Sequence, residues 1–153
     1  MAMPIFHQLS RAESEGLLLR NHVGRIAFTF HDRVGLEPIG YVYEANWIYM
    51  RTAPGSKLDT MAHHPWVAFE VDEVDGPFDW RSVIVHGTAM VLEPQGNAAH
   101  HNSYERALAA LRHAVPSTFE ESDPVPFRTT IMAIYIDEIT GRTASTRGID
   151  AHA

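Results

Sequence analysis

Short β-type segments that follow one another closely are the feature that most constrains this chain. Aromatic and β-branched residues are concentrated in segments separated by brief turns, which predicts strands at residues 25–30, 38–43, 47–52, 66–71, 80–92 and 128–139. A parallel sheet would need a crossover of about a dozen residues between successive strands. We therefore expect a mainly β protein with a six-stranded antiparallel barrel, since closure removes exposed strand edges.

Three helices are predicted at the periphery of this barrel. Ser10 and Glu13 form a capping-box pattern at the start of the first, which extends to about residue 20. A short helix is expected at residues 56–63 and a longer one at residues 97–114, with Asn97 as its cap. These helices are too few and too widely spaced for an alternating α/β fold.

The sequence also predicts core residues, loops and a bulge. Leu17, Leu18 and Leu19 are predicted to enter the core from the first helix. The acidic stretch 72–77 and the proline-rich stretch 116–127 are predicted as loops, and the tail after Gly141 as loose. Gly87, inside an apolar strand, indicates a bulge or a close backbone approach.

Composition narrows the class of protein further. A chain of 153 residues fits a single domain. The absence of cysteine excludes disulfides and thiolate chemistry, and a net charge of −7 disfavours a nucleic-acid-binding surface. No apolar stretch approaches the roughly 20 residues of a membrane helix, and the first residues lack a secretory pattern. We expect a cytoplasmic protein with no nucleic-acid or membrane partner.

The only lysine of the chain lies in a segment suited to binding an anion. Lys57 follows Gly55 and Ser56, and Thr52 ends the preceding predicted strand. Gly55 permits a close approach of the backbone, Ser56 is a plausible helix cap, and the amides of the following helix would favour a phosphate. The order of residues is not that of a Walker A loop. An ordinary capped helix with a solvated lysine fits the same residues.

A second segment, from Trp80 to Gly87, suits a planar cofactor. Ser82 offers a hydroxyl at the start of the strand, and Val83 and Val85 offer an apolar wall. A core strand whose tryptophan only packs is the alternative interpretation.

Taken in order, the motifs of this chain resemble those of one family. They comprise residues 24–27 (Gly-Arg-Ile-Ala), 38–41 (Pro-Ile-Gly-Tyr), 48–52 (Ile-Tyr-Met-Arg-Thr), 55–58 (Gly-Ser-Lys-Leu), 67–72 (Val-Ala-Phe-Glu-Val-Asp) and 82–87 (Ser-Val-Ile-Val-His-Gly). The sequence is similar to the pyridoxamine 5′-phosphate oxidase-like, FMN-binding split-barrel superfamily. Within it, the chain resembles the small proteins related to nitroimidazole reductases.

The resemblance implies a split barrel of Greek-key type, a homodimer, and FMN bound at the dimer interface. By position, the cofactor-binding residues would be Ile39, Gly40, Tyr41, Arg51, Thr52, Ser56, Lys57, Ser82 and Val83. Gly141 and Arg142 would supply a late basic contact. The phosphate of FMN needs positive charge nearby, and the candidates are Arg25, Arg51, Lys57 and Arg81.

Two departures from the family pattern limit the expected activity. The chain lacks the C-terminal arginine–histidine grip of the vitamin oxidases, so oxidation of the vitamin is not expected. Arg51 occupies the place of a histidine that nitroimidazole reductases often carry.

The resulting prediction is an FMN-dependent oxidoreductase that takes electrons from NAD(P)H and passes them to a small molecule. Because the cofactor would carry the chemistry, no side chain is assigned as acid, base or nucleophile. The alternatives are a non-catalytic flavin-binding protein, a deazaflavin-binding relative, or a haem-binding relative using His63, His64 or His86. The spacing of the ten histidines predicts no metal site.

Overall fold

The computed structural model describes residues 3–146, except for the side chains of Ser56 and Lys57. These residues form eight strands and three helices. In chain order they are β1 (Ile5–Leu9), α1 (Arg11–Arg20), β2 (Val23–Phe30), β3 (Arg33–Gly40), β4 (Val42–Glu44), β5 (Trp47–Thr52), α2 (Ser56–His63), β6 (Trp66–Gly76), β7 (Asp79–Leu92), α3 (Ala98–Ala114) and β8 (Thr130–Ser145).

All the strands belong to one antiparallel sheet, in the order β3-β2-β6-β7-β8-β5-β4, with β1 also paired to β8. The prediction of a mainly β, antiparallel fold is confirmed. The predicted count of six strands is wrong, because the described residues form eight. The additional strands arise from β1 and from a division of the predicted second strand into β3 and β4. Closure into a barrel stays a prediction, since this order has two ends.

A single residue, Tyr41, separates β3 and β4, which are the two strands at the ends of the sheet order. The backbone N–H of Tyr41 donates to the carbonyl oxygen of His22 at 3.0 Å, which continues the pairing of β3 with β2. Directly afterwards, Val42 pairs with Tyr49 of β5. The chain thus passes from one edge strand to the other within one residue.

The tail that was predicted to be loose is part of the sheet as far as Ser145. Residues 141–145 of β8 pair with β1 on one side, and residues 141–144 pair with β7 on the other. The sequence pattern missed this because the partner strand β1 is at the opposite end of the chain, where no local signal reveals it. The packing is close: a Cβ at Gly141 would lie 2.3 Å from Oγ of Ser14 in α1.

The prediction of an acidic loop at residues 72–77 is also wrong, since β6 continues to Gly76. Its carboxylates are compatible with a strand because arginines on neighbouring elements neutralise them. Glu73 pairs with Arg20 of α1 at 2.8 Å and with Arg81 of β7 at 3.0 Å.

The helix caps behave as the sequence predicts. Oγ of Ser10 accepts from the N–H of Glu13, and the Glu13 carboxylate accepts from the N–H of Ser10, which confirms the capping box of α1. Asn97 caps α3 by accepting from the N–H of His100 at 3.0 Å.

Leu19 is 62% exposed, contrary to the prediction, because three consecutive helical residues cannot all face one core.

Two apolar clusters occupy opposite faces of the sheet. The larger one, on the inner face, includes Ile26, Phe69, Val83 and Ile134 and takes Leu17 and Leu18 from α1. The smaller one lies where α3 covers β5 and the start of β8, on what we call the outer face. Over β3, β2 and β6 the outer face is not covered by any described element.

Among the described helices, none has the length and apolar character needed to cross a membrane.

Gly87 lies at a bulge in the centre of the sheet, as predicted. The register between β7 and β8 shifts between His86 and Gly87. A Cβ at residue 87 would lie 2.3 Å from the carbonyl oxygen of Tyr135, so only glycine fits this close backbone approach.

Candidate functional site

The predicted phosphate-binding segment, residues 52–57, lies between the end of β5 and the start of α2. Thr52 is half-buried at the end of β5, where its hydroxyl donates to the carbonyl oxygen of Ala53 at 3.3 Å. The N-cap of α2 is Gly55 rather than Ser56, because Ser56 is already the first helical residue. The predicted contacts of Ser56 and Lys57 with a phosphate stay predictions, since both side chains lie outside the described part of the structure.

Three of the predicted cofactor residues line one cavity, of about 400 Å³. Gly40 and Tyr41 approach it from the edge strands, and Arg51 approaches it from β5. We call it the Arg51 cavity. Its remaining walls come from His22, Val42, the end of α3 and the segment between α3 and β8: Leu111, Ala114, Val115, Thr118, Pro124, Val125 and Arg128. Ile39 is not part of this lining and packs half-buried against the inner core.

Arg51 is buried and its charge already has a partner. Two of its nitrogens donate to the Asp123 carboxylate at 3.0 and 2.6 Å, and Nε donates to the carbonyl oxygen of Arg128 at 3.1 Å. The guanidinium also lies 4.4 Å from the centroid of the Phe119 ring. The Arg51 guanidinium holds the pKa of Asp123 well below its usual range. Asp123 had no distinguishing signal in the sequence, since it lies in a loop 72 residues away.

Tyr41 is held by its hydroxyl and by its ring. The hydroxyl donates to the carbonyl oxygen of Leu18 at 2.6 Å, and the ring meets the edge of Phe69 at 5.0 Å between centroids. Burial raises the pKa of Tyr41 above its ordinary value, so the phenol stays neutral. This residue therefore fixes the crossing between β3 and β4 and presents a rigid wall to the cavity.

Ser82 and Val83 point to opposite faces of the sheet, as successive strand residues must. Val83 is fully buried in the inner core, so only its backbone is available to a ligand on the outer face. Ser82 is half-buried on the outer face, where its hydroxyl donates to Glu70 at 2.9 Å. Arg142 is the register partner of Ser82 on β8 and is exposed.

Three of the four cations predicted to compensate a phosphate are engaged with carboxylates. Arg25 contacts Glu70 at 3.4 Å and Asp72 at 3.3 Å. Arg81 contacts Glu73, and Arg51 contacts Asp123. Lys57, the fourth, has an undescribed side chain. Burial, and then the neighbouring Asp72 carboxyl, raise the pKa of Glu70. No cluster of three or more potential metal ligands is found among the described residues.

Within one chain, the predicted cofactor residues form two separate groups. Thr52 pairs with Thr130 at the start of β8, whereas Ser82 pairs with Arg142 near the end of the same strand. The stretch of β8 from Thr130 to Arg142 is roughly 40 Å long at the rise of a strand. A ligand held at segment 52–57 and a ligand held at Ser82 would therefore sit at different places on a single chain.

Comparison with known proteins places the chain in a family. Residues 10–143 match the family model described as pyridoxamine 5′-phosphate oxidase. A protein of Rhizobium meliloti (strain 1021), itself uncharacterized, is 30% identical over 145 residues, which cover 89% of this chain and 93% of that protein. The chain therefore belongs to the pyridoxamine 5′-phosphate oxidase family, as the motifs predicted.

Two solved structures of similar fold come from proteins described as FAD-binding. One is from Mesorhizobium loti, with 26% identity, a TM-score of 0.71, and coverage of 92% of this chain and 99% of that one. The other is from Mycobacterium smegmatis, with 29% identity, a TM-score of 0.63, and coverage of 90% of this chain and 98% of that one.

Proposed function

We propose that this protein binds a flavin, with FMN as the expected form, and uses it to pass electrons from NAD(P)H to a small molecule. One observation carries the proposal: Gly40, Tyr41 and Arg51, three of the residues predicted to contact the flavin, meet at one largely apolar cavity. Arg51 immediately precedes Thr52, so the chain continues from the wall of this cavity directly into the predicted phosphate segment. The description of both similar structures as FAD-binding proteins supports a flavin and makes FAD the form to compare with FMN.

The residues of this chain would divide the work of binding between two regions. The segment 52–57 would hold the phosphate through the Thr52 hydroxyl, the first amides of α2 and Lys57. The rigid backbone at Gly40 and Tyr41 and the apolar side chains of the cavity would hold the ring system. When bound, a flavin accepts hydride from a reduced nicotinamide and delivers electrons to an acceptor.

We propose in addition that the working form is a homodimer whose two chains complete each flavin site. The separation of segment 52–57 from Ser82 supports this, because a second chain can bring its Ser82 to a site that the first chain leaves incomplete. The uncovered outer face supports it too. This face carries large apolar side chains that a monomer would leave in water: Val34 (80% exposed), Trp66 (71%) and Leu36 (68%).

The absorbance spectrum of the purified protein, with and without added FMN or FAD, is the direct test. Bound flavin gives a band near ~450 nm that bleaches with NADPH in the absence of oxygen. Protein that neither carries nor rebinds a flavin contradicts the proposal, and a sharp band near ~410 nm identifies haem instead. Binding without bleaching by NADPH or NADH identifies a flavin carrier without this turnover.

Substitution of Lys57 tests the phosphate segment separately. Lys57→Ala should weaken FMN binding by ~1.5–3 kcal/mol, the usual worth of a hydrogen bond to a charged group. Affinity for riboflavin, which lacks the phosphate, should not change. Arg33→Ala is the matched control, since Arg33 is an exposed cation at the start of β3. Equal FMN affinities of the Lys57→Ala variant and the unmodified protein in a fluorescence titration would remove Lys57 from the site.

A further inference from the structure

The Arg51 cavity contains a second arginine, Arg128, that has no carboxylate partner within residues 3–146. Arg128 is half-buried and lines the cavity directly. Among the side chains that the structure describes, none places a carboxylate within ion-pair distance of its guanidinium. Its recorded side-chain contact is with the ring of Phe127, at 5.7 Å from the centroid.

This environment sets Arg128 apart from the other arginines between residues 3 and 146. Six of them pair with carboxylates: Arg11, Arg20, Arg25, Arg51, Arg81 and Arg112. Of the four without such a described partner, Arg33, Arg106 and Arg142 are exposed to water, which satisfies their charge. Arg128 alone of these four is partly withdrawn from water, and a charge withdrawn from water costs free energy unless a partner compensates it.

The backbone of Arg128 is fixed while its side chain stays available. Its N–H donates to the carbonyl oxygen of Val125 at 3.0 Å, and its carbonyl oxygen accepts from Nε of Arg51 at 3.1 Å. The main chain therefore positions the residue at the cavity without using the guanidinium.

Most of the remaining cavity lining is apolar, and the charge of Arg51 is already neutralised. Val42, Leu111, Ala114 and Val115 supply aliphatic surface. Asp123 offsets the charge of Arg51, whereas no carboxylate of the described residues offsets the charge of Arg128. A volume of about 400 Å³ is suited to a small molecule.

We propose that Arg128 is the anion-recognising residue of this cavity, and that the ligand it selects is a small, largely apolar molecule carrying one carboxylate or phosphate. The role of this molecule rests on the proposed flavin function, because it would be either the electron acceptor or part of the flavin itself. The binding step does not depend on that chemistry and can be measured alone.

Benzoate and benzamide are suitable probes, since they share a ring and differ in charge. We expect the purified full-length protein to bind benzoate at least ~10-fold more tightly than benzamide in a calorimetric titration, as one charge-assisted hydrogen bond implies. Arg128→Gln should abolish this preference, whereas Arg106→Gln, which removes an exposed arginine of α3, should keep it. Equal binding of the two probes by the unmodified protein, or a preference that survives in Arg128→Gln, overturns the proposal.

Two controls make the outcome decisive. The urea midpoint of Arg128→Gln should be no lower than that of the unmodified protein, because the substitution removes a partly buried charge, breaks no ion pair among the described residues and leaves the backbone hydrogen bonds in place. Arg128→Lys should restore part of the preference for benzoate, since it restores the charge.

Flavin titrations then identify the source of the anion. If Arg128 shares the phosphate of the flavin with segment 52–57, Arg128→Gln weakens FMN binding but not riboflavin binding. If the anion belongs to a separate molecule, Arg128→Gln leaves the FMN affinity unchanged and loses only the preference for benzoate. A chain that prefers benzoate through Arg128 but binds no flavin would disprove the proposed function and leave this inference standing.

Discussion

Among single residues, Asp123 connects the segment between α3 and β8 to Arg51 of β5 through its carboxylate. Its carboxylate accepts from two nitrogens of Arg51 and from the backbone N–H groups of Phe119 and Val125. These bonds attach the segment between α3 and β8 to β5. The segment contains Phe119, whose φ of +60° is unusual for a residue other than glycine and is stabilised by the bond from its N–H to Asp123.

Removing the charge of Asp123 should destabilise the fold markedly, because Arg51 would remain buried without its partner. Asp123→Asn is expected to lower the urea midpoint clearly. Glu15→Gln, which breaks the exposed pair with Arg11, should change it little. Similar midpoints for the two variants would show that the buried pair contributes no more than a surface pair.

Gly87 is a second residue whose replacement should change stability. Gly87→Ala should cost about 1–3 kcal/mol in free energy of unfolding, since the added methyl group would overlap the Tyr135 carbonyl oxygen, which is backbone and cannot move aside easily. Gly76→Ala is the control, because a Cβ there meets no atom within 4 Å. Chemical denaturation of both variants decides the matter, and equal losses would show that the bulge accommodates a side chain.

At the scale of elements, Glu73 connects α1, β6 and β7. Its carboxylate accepts from Arg20, from Asn21 just after α1, and from Arg81. The hydrogen bonds from Arg20 are the largest cause that lowers the pKa of Glu73 to about 2. The pKa in the unfolded chain is near 4.3, so protonation of Glu73 weakens the folded state only below that pH.

Because the pKa of Glu73 is lowered in the folded protein, the stability that Glu73 contributes should depend on pH. The stability contributed by Glu73 is fully present above about pH 4.3 and is lost as the pH falls towards about 2. Glu73→Gln should therefore be less stable than the unmodified protein at pH 7, and the difference should shrink through that acid window. Urea midpoints measured from pH 7 to pH 2 test this, with the exposed Glu105→Gln as control. A difference that stays constant with pH would exclude Glu73 as the cause.

The helices show which elements a sequence can predict. α1 and α3 carry cap residues a few positions from the groups they bind, so their starts follow from local chemistry. β1 and the last residues of β8 stabilise each other across almost the whole chain, and the end of β6 depends on arginines from two other elements. Neither kind of partner is visible in a local pattern.

The candidate site divides in the same way. The ordered motifs led to the correct family, and they placed Gly40, Tyr41 and Arg51 where one cavity exists. They did not indicate that the Asp123 carboxylate forms an ion pair with Arg51. They also did not indicate that Ser82 lies far from segment 52–57 on the same chain. Both facts depend on how distant strands pair, and strand pairing is a property of the whole sheet.

At the scale of the whole molecule, the uncovered outer face predicts self-association. Leu36→Glu places a charge on this face, so it should shift a dimer towards monomer and weaken flavin binding at the same time. Leu19→Glu is the control, since Leu19 is similarly exposed (62%) but lies on α1. Sedimentation velocity with absorbance detection reports both properties. A Leu36→Glu variant that sediments like the unmodified protein and retains flavin would exclude this face as the interface.

The position of β8 has a consequence for how the protein is made. This strand of 16 residues is the last described element of the chain, yet it pairs with β1, β5 and β7. A ribosome produces it only after all of these partners, which must wait without their central neighbour. The pairing of β1, β5 and β7 with β8 can therefore begin only after β8 has been synthesised, and the edges that these strands leave unpaired need protection from aggregation until then.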